Sequence, residues 1–260
     1  MGRKFDILAY YPQSGGRADL RPVITDEQRE ISRRFGFDYF DGDRQYGYGG
    51  YSYNARFWTE TVKHIADYYQ LAEDASILDV GCGKGFMLKD FQRLMPGAEL
   101  AGIDISAYAL EHAAPEVAPL LTKGCATQLP YGDDSFDLVV SINTVHNLDR
   151  AGCVRALREI QRVAKRHACV VVDGWESEQQ RRRCWLGCLR HRHCCLSASG
   201  LSCSAKRVTK AIMRSGLSLK SRPVLASAGP RLVRTPKSCS SESRSSSAPA
   251  MSINGYAIEP

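Results

Sequence analysis

A chain of 260 residues is long enough for one well-buried domain, or for one domain with an appendage, and its 43% hydrophobic and 24% charged residues are those of an ordinary globular protein. No run of eighteen apolar residues occurs, which excludes a membrane-spanning helix, and the N-terminus lacks the apolar core of a signal peptide. Asp6 stands where a myristoylation signal needs Ser or Thr, so a cytoplasmic protein is expected. The net charge of +7 belongs to one end of the chain: residues 1–183 hold 23 basic and 26 acidic side chains (−3), residues 184–260 hold 12 and 2 (+10).

Residues 1–53 are polar, broken by Pro12, Pro22 and many glycines, and end in the aromatic run Tyr46-Gly47-Tyr48-Gly49-Gly50-Tyr51-Ser52-Tyr53. Residues 1–53 are expected to be an N-terminal lid or substrate segment, in which this run, flanked by Arg44 and Arg56, either covers the pocket or is an ordinary aromatic surface loop. From Asn54 to about Leu71, Phe57, Trp58, Val62, Ile65, Ala66 and Tyr69 recur at helical spacing. Short apolar strands then alternate with helices. Ile77–Val80 precedes a glycine turn, and a helix marked by Phe86, Leu88, Phe91 and Leu94 stops before Pro96-Gly97. Leu100–Ile103 is a second strand, followed by a helix over 108–114. A third strand begins near Leu120, and Phe136–Ile142 is a fourth. A helix carries Val154, Leu157, Ile160 and Ala164, and Ala168–Val172 is a fifth strand. Nearly all-apolar strands alternating with helices imply an α/β domain over residues 54–183, with a mainly parallel sheet covered on both faces.

After Arg183 the patterning stops. Sixteen serines and six of the ten cysteines fall in residues 184–260. Such a segment lacks the apolar area to offset ordering entropy of ~1–2 kcal/mol per residue, so a disordered basic tail is expected. Cys184, Cys188, His191, His193, Cys194 and Cys195 do not have the paired spacing of a zinc site, and no metal is expected. The break near Arg181–Cys184 also fits a reading-frame shift, with everything beyond it translated out of frame.

The chemistry concentrates in the first βα turn, Asp79-Val80-Gly81-Cys82-Gly83-Lys84-Gly85. Glycines let a ligand approach the backbone closely, and the following helix N-terminus favours a negative group. The dinucleotide fingerprint spaces its glycines differently, and an acid two residues before the first glycine suits a cation rather than a pyrophosphate. A ligand bearing an ammonium, a sulfonium and a carboxylate fits. Asp104, at the end of the second strand, can accept bonds from two ribose hydroxyls. Asn143 and His146 follow the C-terminal end of the fourth strand, where doubly wound sheets line their ligand crevice. His146 could serve as a general base or could pack as a structural histidine.

The glycine turn, together with Gly124-Cys125-Ala126-Thr127-Gln128-Leu129-Pro130-Tyr131-Gly132-Asp133-Asp134-Ser135-Phe136-Asp137, resembles the class I S-adenosylmethionine-dependent methyltransferases of small-molecule type. The resemblance implies a Rossmann-like doubly wound sheet and S-adenosyl-L-methionine as cofactor. It assigns Asp79, Gly81, Cys82, Gly83 and Gly85 to the methionine portion, Asp104 to the ribose, and Ile105, Cys125 and Ala126 to the adenine. Asn143 is placed by both cofactor and acceptor, and His146 near the transferred methyl. Cys125 departs from the pattern, which usually has an acid there. The family also closes its sheet with a C-terminal β-hairpin, which this chain is expected to lack. The implied activity is methyl transfer to a small molecule, with a sugar or glycan hydroxyl favoured. The alternatives are a quinone or polyketide methyltransferase, or a truncated, impaired cofactor-binding module. No nucleic-acid or membrane partner is expected, because residues 1–183 are slightly acidic. The sequence does not fix the oligomeric state.

Overall fold

The computed structural model describes residues 4–12 and 24–172, together with the backbone of three short strands at 212–214, 251–253 and 256–258. In chain order the elements are β1 (Lys4–Asp6), α1 (Asp26–Arg33), α2 (Phe37–Phe40), α3 (Ala55–Tyr69), β2 (Ser76–Val80), α4 (Phe86–Leu94), β3 (Glu99–Asp104), α5 (Ala107–Glu111), β4 (Leu121–Lys123), β5 (Phe136–Ile142), α6 (Arg150–Val163), β6 (Ala164–Val171), β7 (Ile212–Arg214), β8 (Met251–Ile253) and β9 (Tyr256–Ile258).

Strands β2 to β6 form one sheet in the order β4-β3-β2-β5-β6, every pairing parallel. The order reverses between β2 and β5, which leaves a crevice at their C-terminal ends. Alternate residues of each strand serve opposite layers. Leu78, Val80 and Val139 pack with Leu157, Ile160 and Val163 of α6. Ile77, Leu138 and Val140 pack with Val62 and Ile65 of α3 and with Met87 and Phe91 of α4. Burial on both faces is why these strands read as continuous apolar runs, and the sheet is doubly wound as expected. Asn54 accepts a bond from the Arg56 N–H and caps α3, while Asp149 accepts from Gly152 N–H at 2.6 Å and caps α6.

Two boundaries differ from expectation. Strand β6 begins at Ala164, four residues before Ala168, with Ala164 and His167 paired to Phe136 and Leu138 of β5 and Lys165-Arg166 at a register shift between them. The segment ahead of residue 54 is also not a separate polar arm: Ile7 and Leu8 are buried with α3 in the second core layer. Disorder of 184–260, the missing hairpin of the main sheet and the frame shift near Arg181 concern residues almost all outside those described. The exceptions are the three strands: β7 pairs antiparallel with β1, and β8 with β9. No described helix is long and apolar enough to cross a membrane.

Candidate active site

Strand β2 runs into three glycines with positive φ, Gly81 (86°), Gly83 (55°) and Gly85 (75°), before α4 starts at Phe86. These angles lie where L side chains are strained. A second constraint acts at Gly81, where a Cβ would land inside the Thr144 side chain. The turn is bolted to the neighbouring strand. Gly81 N–H donates to Ile103 O at 2.7 Å and Gly83 N–H to Asp104 Oδ2 at 2.8 Å, while Ser106 N–H holds Asp104 Oδ1 at 2.8 Å. The Asp104 carboxylate is thereby fixed at the crevice mouth.

Asp79 is buried at the crevice floor. Burial, and then the charge of Asp104, push its pKa up to about 8. Burial also raises Asp104, opposed by the N–H groups of Ser106 and Gly83. Two acids driven toward the neutral form by low dielectric are a place where a cation is welcome. Burial likewise raises the Cys82 thiol well above its usual range, so it is a neutral wall rather than a nucleophile.

These groups line one cavity of about 1190 Å³, part of it open solvent. Asp79, Gly81, Cys82, Gly83, Asp104, Ile105, Cys125, Ala126 and Asn143 all reach it. Gly85 does not, and acts as the cap of α4. The loop bearing Cys125 and Ala126 is held from α6: Arg162 donates to Tyr131 O at 2.8 Å and Leu129 O at 3.1 Å, and Glu159 accepts from Leu129 N–H at 2.8 Å. Cys125 Sγ is 3.1 Å from Thr127 Oγ1.

Beyond β5, Asn143 adopts a left-handed φ of 55°, with its N–H on Val171 O at 2.8 Å and its carbonyl accepting from Asn147 Nδ2 at 3.1 Å. A strained non-glycine residue at the cavity wall is a common mark of a functional turn. His146 is not brought to the cavity. Its ring is 1% exposed, in a single 3₁₀ turn over Val145–Asn147, whereas Asn147 lines the wall.

The opposite wall is aromatic. Of the run 46–53, Tyr48 and Tyr51 face the cavity, while Tyr53 donates to the buried Asp90 at 2.8 Å. The rest of that wall was not legible from sequence: Tyr11, Phe35, Tyr39, Phe40 and Trp58. Among the described residues no group of three or more His, Cys, Asp or Glu could hold a metal, and the Cys184–Cys195 cluster lies outside them.

Residues 78–172 match the family model described as "Methyltransferase domain". A malonyl-[acyl-carrier protein] O-methyltransferase of Legionella pneumophila is 29% identical over 45% of this chain and 43% of its own length. A demethylmenaquinone methyltransferase of Roseiflexus castenholzii is 30% identical over 36% and 42%, and a sterol 4-C-methyltransferase of Caenorhabditis elegans is 30% identical over 39% and 31%. The chain spans less than half the length of each of these relatives. The glycine turn and the acid pair of the cavity wall lie within the matched span, and residues 78–172 are a class I S-adenosylmethionine-dependent methyltransferase domain.

Proposed function

We propose that the chain methylates a small, uncharged and largely flat acceptor. One observation carries this reading: among the described residues the cavity wall has seven aromatic side chains, no Lys, Arg or His, and only Asp79 and Asp104 as charged groups. Both acids sit at the glycine turn, where the resemblance puts the cofactor's ammonium and ribose. S-adenosylmethionine, when bound, supplies an electrophilic methyl on sulfur. The chain's own contribution is then alignment and exclusion of water. Rings on one side and the Asn143–Leu148 turn on the other confine an acceptor, and such confinement accounts for a large share of a bimolecular barrier.

A sugar acceptor also stacks on rings, and the Tyr39 and Tyr48 hydroxyls could serve it. The flat apolar acceptor of quinone or polyketide type is favoured, because Met87, Ile142, Leu148, Phe35 and Phe40 give the hydroxyls of a sugar no strong hydrogen-bonding partner. Phosphate-bearing acceptors such as nucleic acid find no cation to pair with there. The relatives named for demethylmenaquinone and sterol accord with this choice. The test is transfer of an isotopic methyl from S-adenosylmethionine to two panels, hydroxylated naphthalenes and phenols against free and nucleotide-linked sugars. Labelled sugars with unlabelled phenols would reverse the assignment. Cofactor binding with no product from either panel would favour the impaired module.

A further inference from the structure

Lys84 is the one cationic side chain inside the glycine turn, and it does not reach the cavity. Its Nζ lies 2.6 and 2.9 Å from the two oxygens of Asp41, 43 residues away, and the lysine side chain is only 9% exposed. The same carboxylate accepts the Tyr51 N–H at 2.9 Å and the Tyr108 hydroxyl at 2.7 Å. Burial would raise the Asp41 carboxyl, but the bonds from Lys84, Tyr51 and Tyr108 outweigh it and hold the carboxyl below its usual range.

Asp41 belongs to a compact body. Tyr48 N–H donates to Tyr39 O and Gly50 N–H to Phe40 O, and Ser32 Oγ donates to Tyr46 O, tying α1, α2 and the aromatic run into one unit over residues 25–53. That unit supplies Phe35, Tyr39, Phe40, Tyr48 and Tyr51 to the cavity wall. Asp41 ties it to Lys84 and Tyr108, Ser106 Oγ donates to Phe35 O at 2.5 Å, and at its C-terminal edge the Tyr53 hydroxyl donates to Asp90 at 2.8 Å and accepts from Arg93 at 3.1 Å. Ring packing of Tyr51 and Tyr53 on Phe86 and of Phe37 and Phe40 on Tyr108 adds to these bonds.

We infer that Asp41–Lys84 is a latch: it pins the aromatic cap, residues 25–53, to the glycine turn, and it must open for S-adenosylmethionine and its demethylated product to exchange. Asp41 is thus a positioning residue, acting on the cavity through Tyr51 and Lys84. The inference rests on the cofactor reading given above. Because this ion pair is made to the glycine turn itself, whereas the Tyr108, Ser106 and Tyr53 ties go to α4 and α5 or their ends, it couples the packing of the rings to occupancy of the turn by cofactor.

The experiment compares the full chain with D41N, K84Q and the double variant. Stopped-flow binding of S-adenosylmethionine is expected to show association and dissociation both faster by about tenfold in D41N, with Kd nearly constant, as for a gate held open. The double variant is expected to match the single ones, since the two residues act as one device. Dissociation accelerated alone, unchanged rates, or single effects that multiply would each overturn the latch. A second readout needs no cofactor: burial beneath the cap keeps the cavity-lining Cys82 as an unreactive neutral thiol. An opened cap that lets water in should therefore quicken its alkylation by a small maleimide in D41N, mapped by mass spectrometry, while that of buried Cys169 stays unchanged. If the parent chain binds no S-adenosylmethionine, the cofactor reading fails, and Cys82 labelling still decides whether the cap is latched.

Discussion

Asp79 and Asp104 close neighbouring strands of one sheet, and the charge of Asp104 adds to burial in lifting Asp79 to a pKa of about 8. At pH 7 the ligand-free protein therefore holds a proton on Asp79 that the unfolded chain, with a carboxyl near its ordinary 3.8, has released. The folded state binds more protons between those two values, so this group's effect is to lower stability as pH rises from about 4 to about 8. Thermal unfolding of the ligand-free protein against D79N tests the sign: the slope over that window should flatten in the variant.

The same proton predicts a linkage to the cofactor. An ammonium beside Asp79 favours the carboxylate, so binding at pH 7 should release close to one proton, and affinity should rise about tenfold per pH unit between 6 and 8. Calorimetry in buffers of different ionisation enthalpy measures the release directly. A flat Kd across that range would mean that Asp79 does not face the cofactor's cation.

Gly81 and Thr144 touch across the crevice, which makes the glycine necessary twice over. G81A adds a Cβ at φ 86° and drives it into Thr144. The left-handed backbone costs roughly 1–2 kcal/mol, and overpacking adds about 1–3 kcal/mol. The expected loss in chemical denaturation is therefore about 2–5 kcal/mol, together with loss of cofactor binding. G81A/T144G should recover the overpacking part only.

How much of this arrangement could be read from the chain depended on the range of the interactions. β2 and β5 were legible because both of their faces are buried, so Ile77–Val80 is apolar but for Asp79, and Phe136–Ile142 but for Asp137 and Ser141. The start of β6 was hidden because Lys165 and Arg166 lean on Asp137 at 3.5 and 3.4 Å instead of on a core. The glycine-turn side of the cavity was legible because glycines and acids there are set by local backbone geometry. Of the aromatic cap only the run 46–53 stood out, since Phe35, Tyr39 and Phe40 lie apart from it and Asp41 meets Lys84 only through the tertiary fold. His146 was misleading for a related reason: a strand's C-terminal end brings its neighbours to the crevice, but the 3₁₀ turn after Asn143 rotates Asn147 to the wall and buries the histidine.

That burial gives His146 a different signature from that of a general base. H146Q should lower the melting temperature, by the equivalent of about 1–3 kcal/mol for a disturbed buried polar group, while cofactor affinity stays within about twofold. Loss of turnover in a variant of unchanged stability would restore the catalytic assignment.

Cys125 allows a gain rather than a loss. The family's usual acid at this place is replaced by a thiol that lines the cavity and lies beside Thr127. A thiol is a weak acceptor, whereas a carboxylate at this half-exposed position would take a hydrogen bond from the adenine amino group. C125D should therefore tighten S-adenosylmethionine by about 1 kcal/mol, roughly fivefold in Kd. The control is a cofactor analogue lacking the amino group, in which a purine hydrogen replaces it. Its affinity should not rise, and a new like charge near Asp104 should, if anything, weaken it. Equal tightening of both ligands would trace the effect to loop rigidity instead of adenine recognition, and weaker binding of both would show that Cys125 faces away from the base.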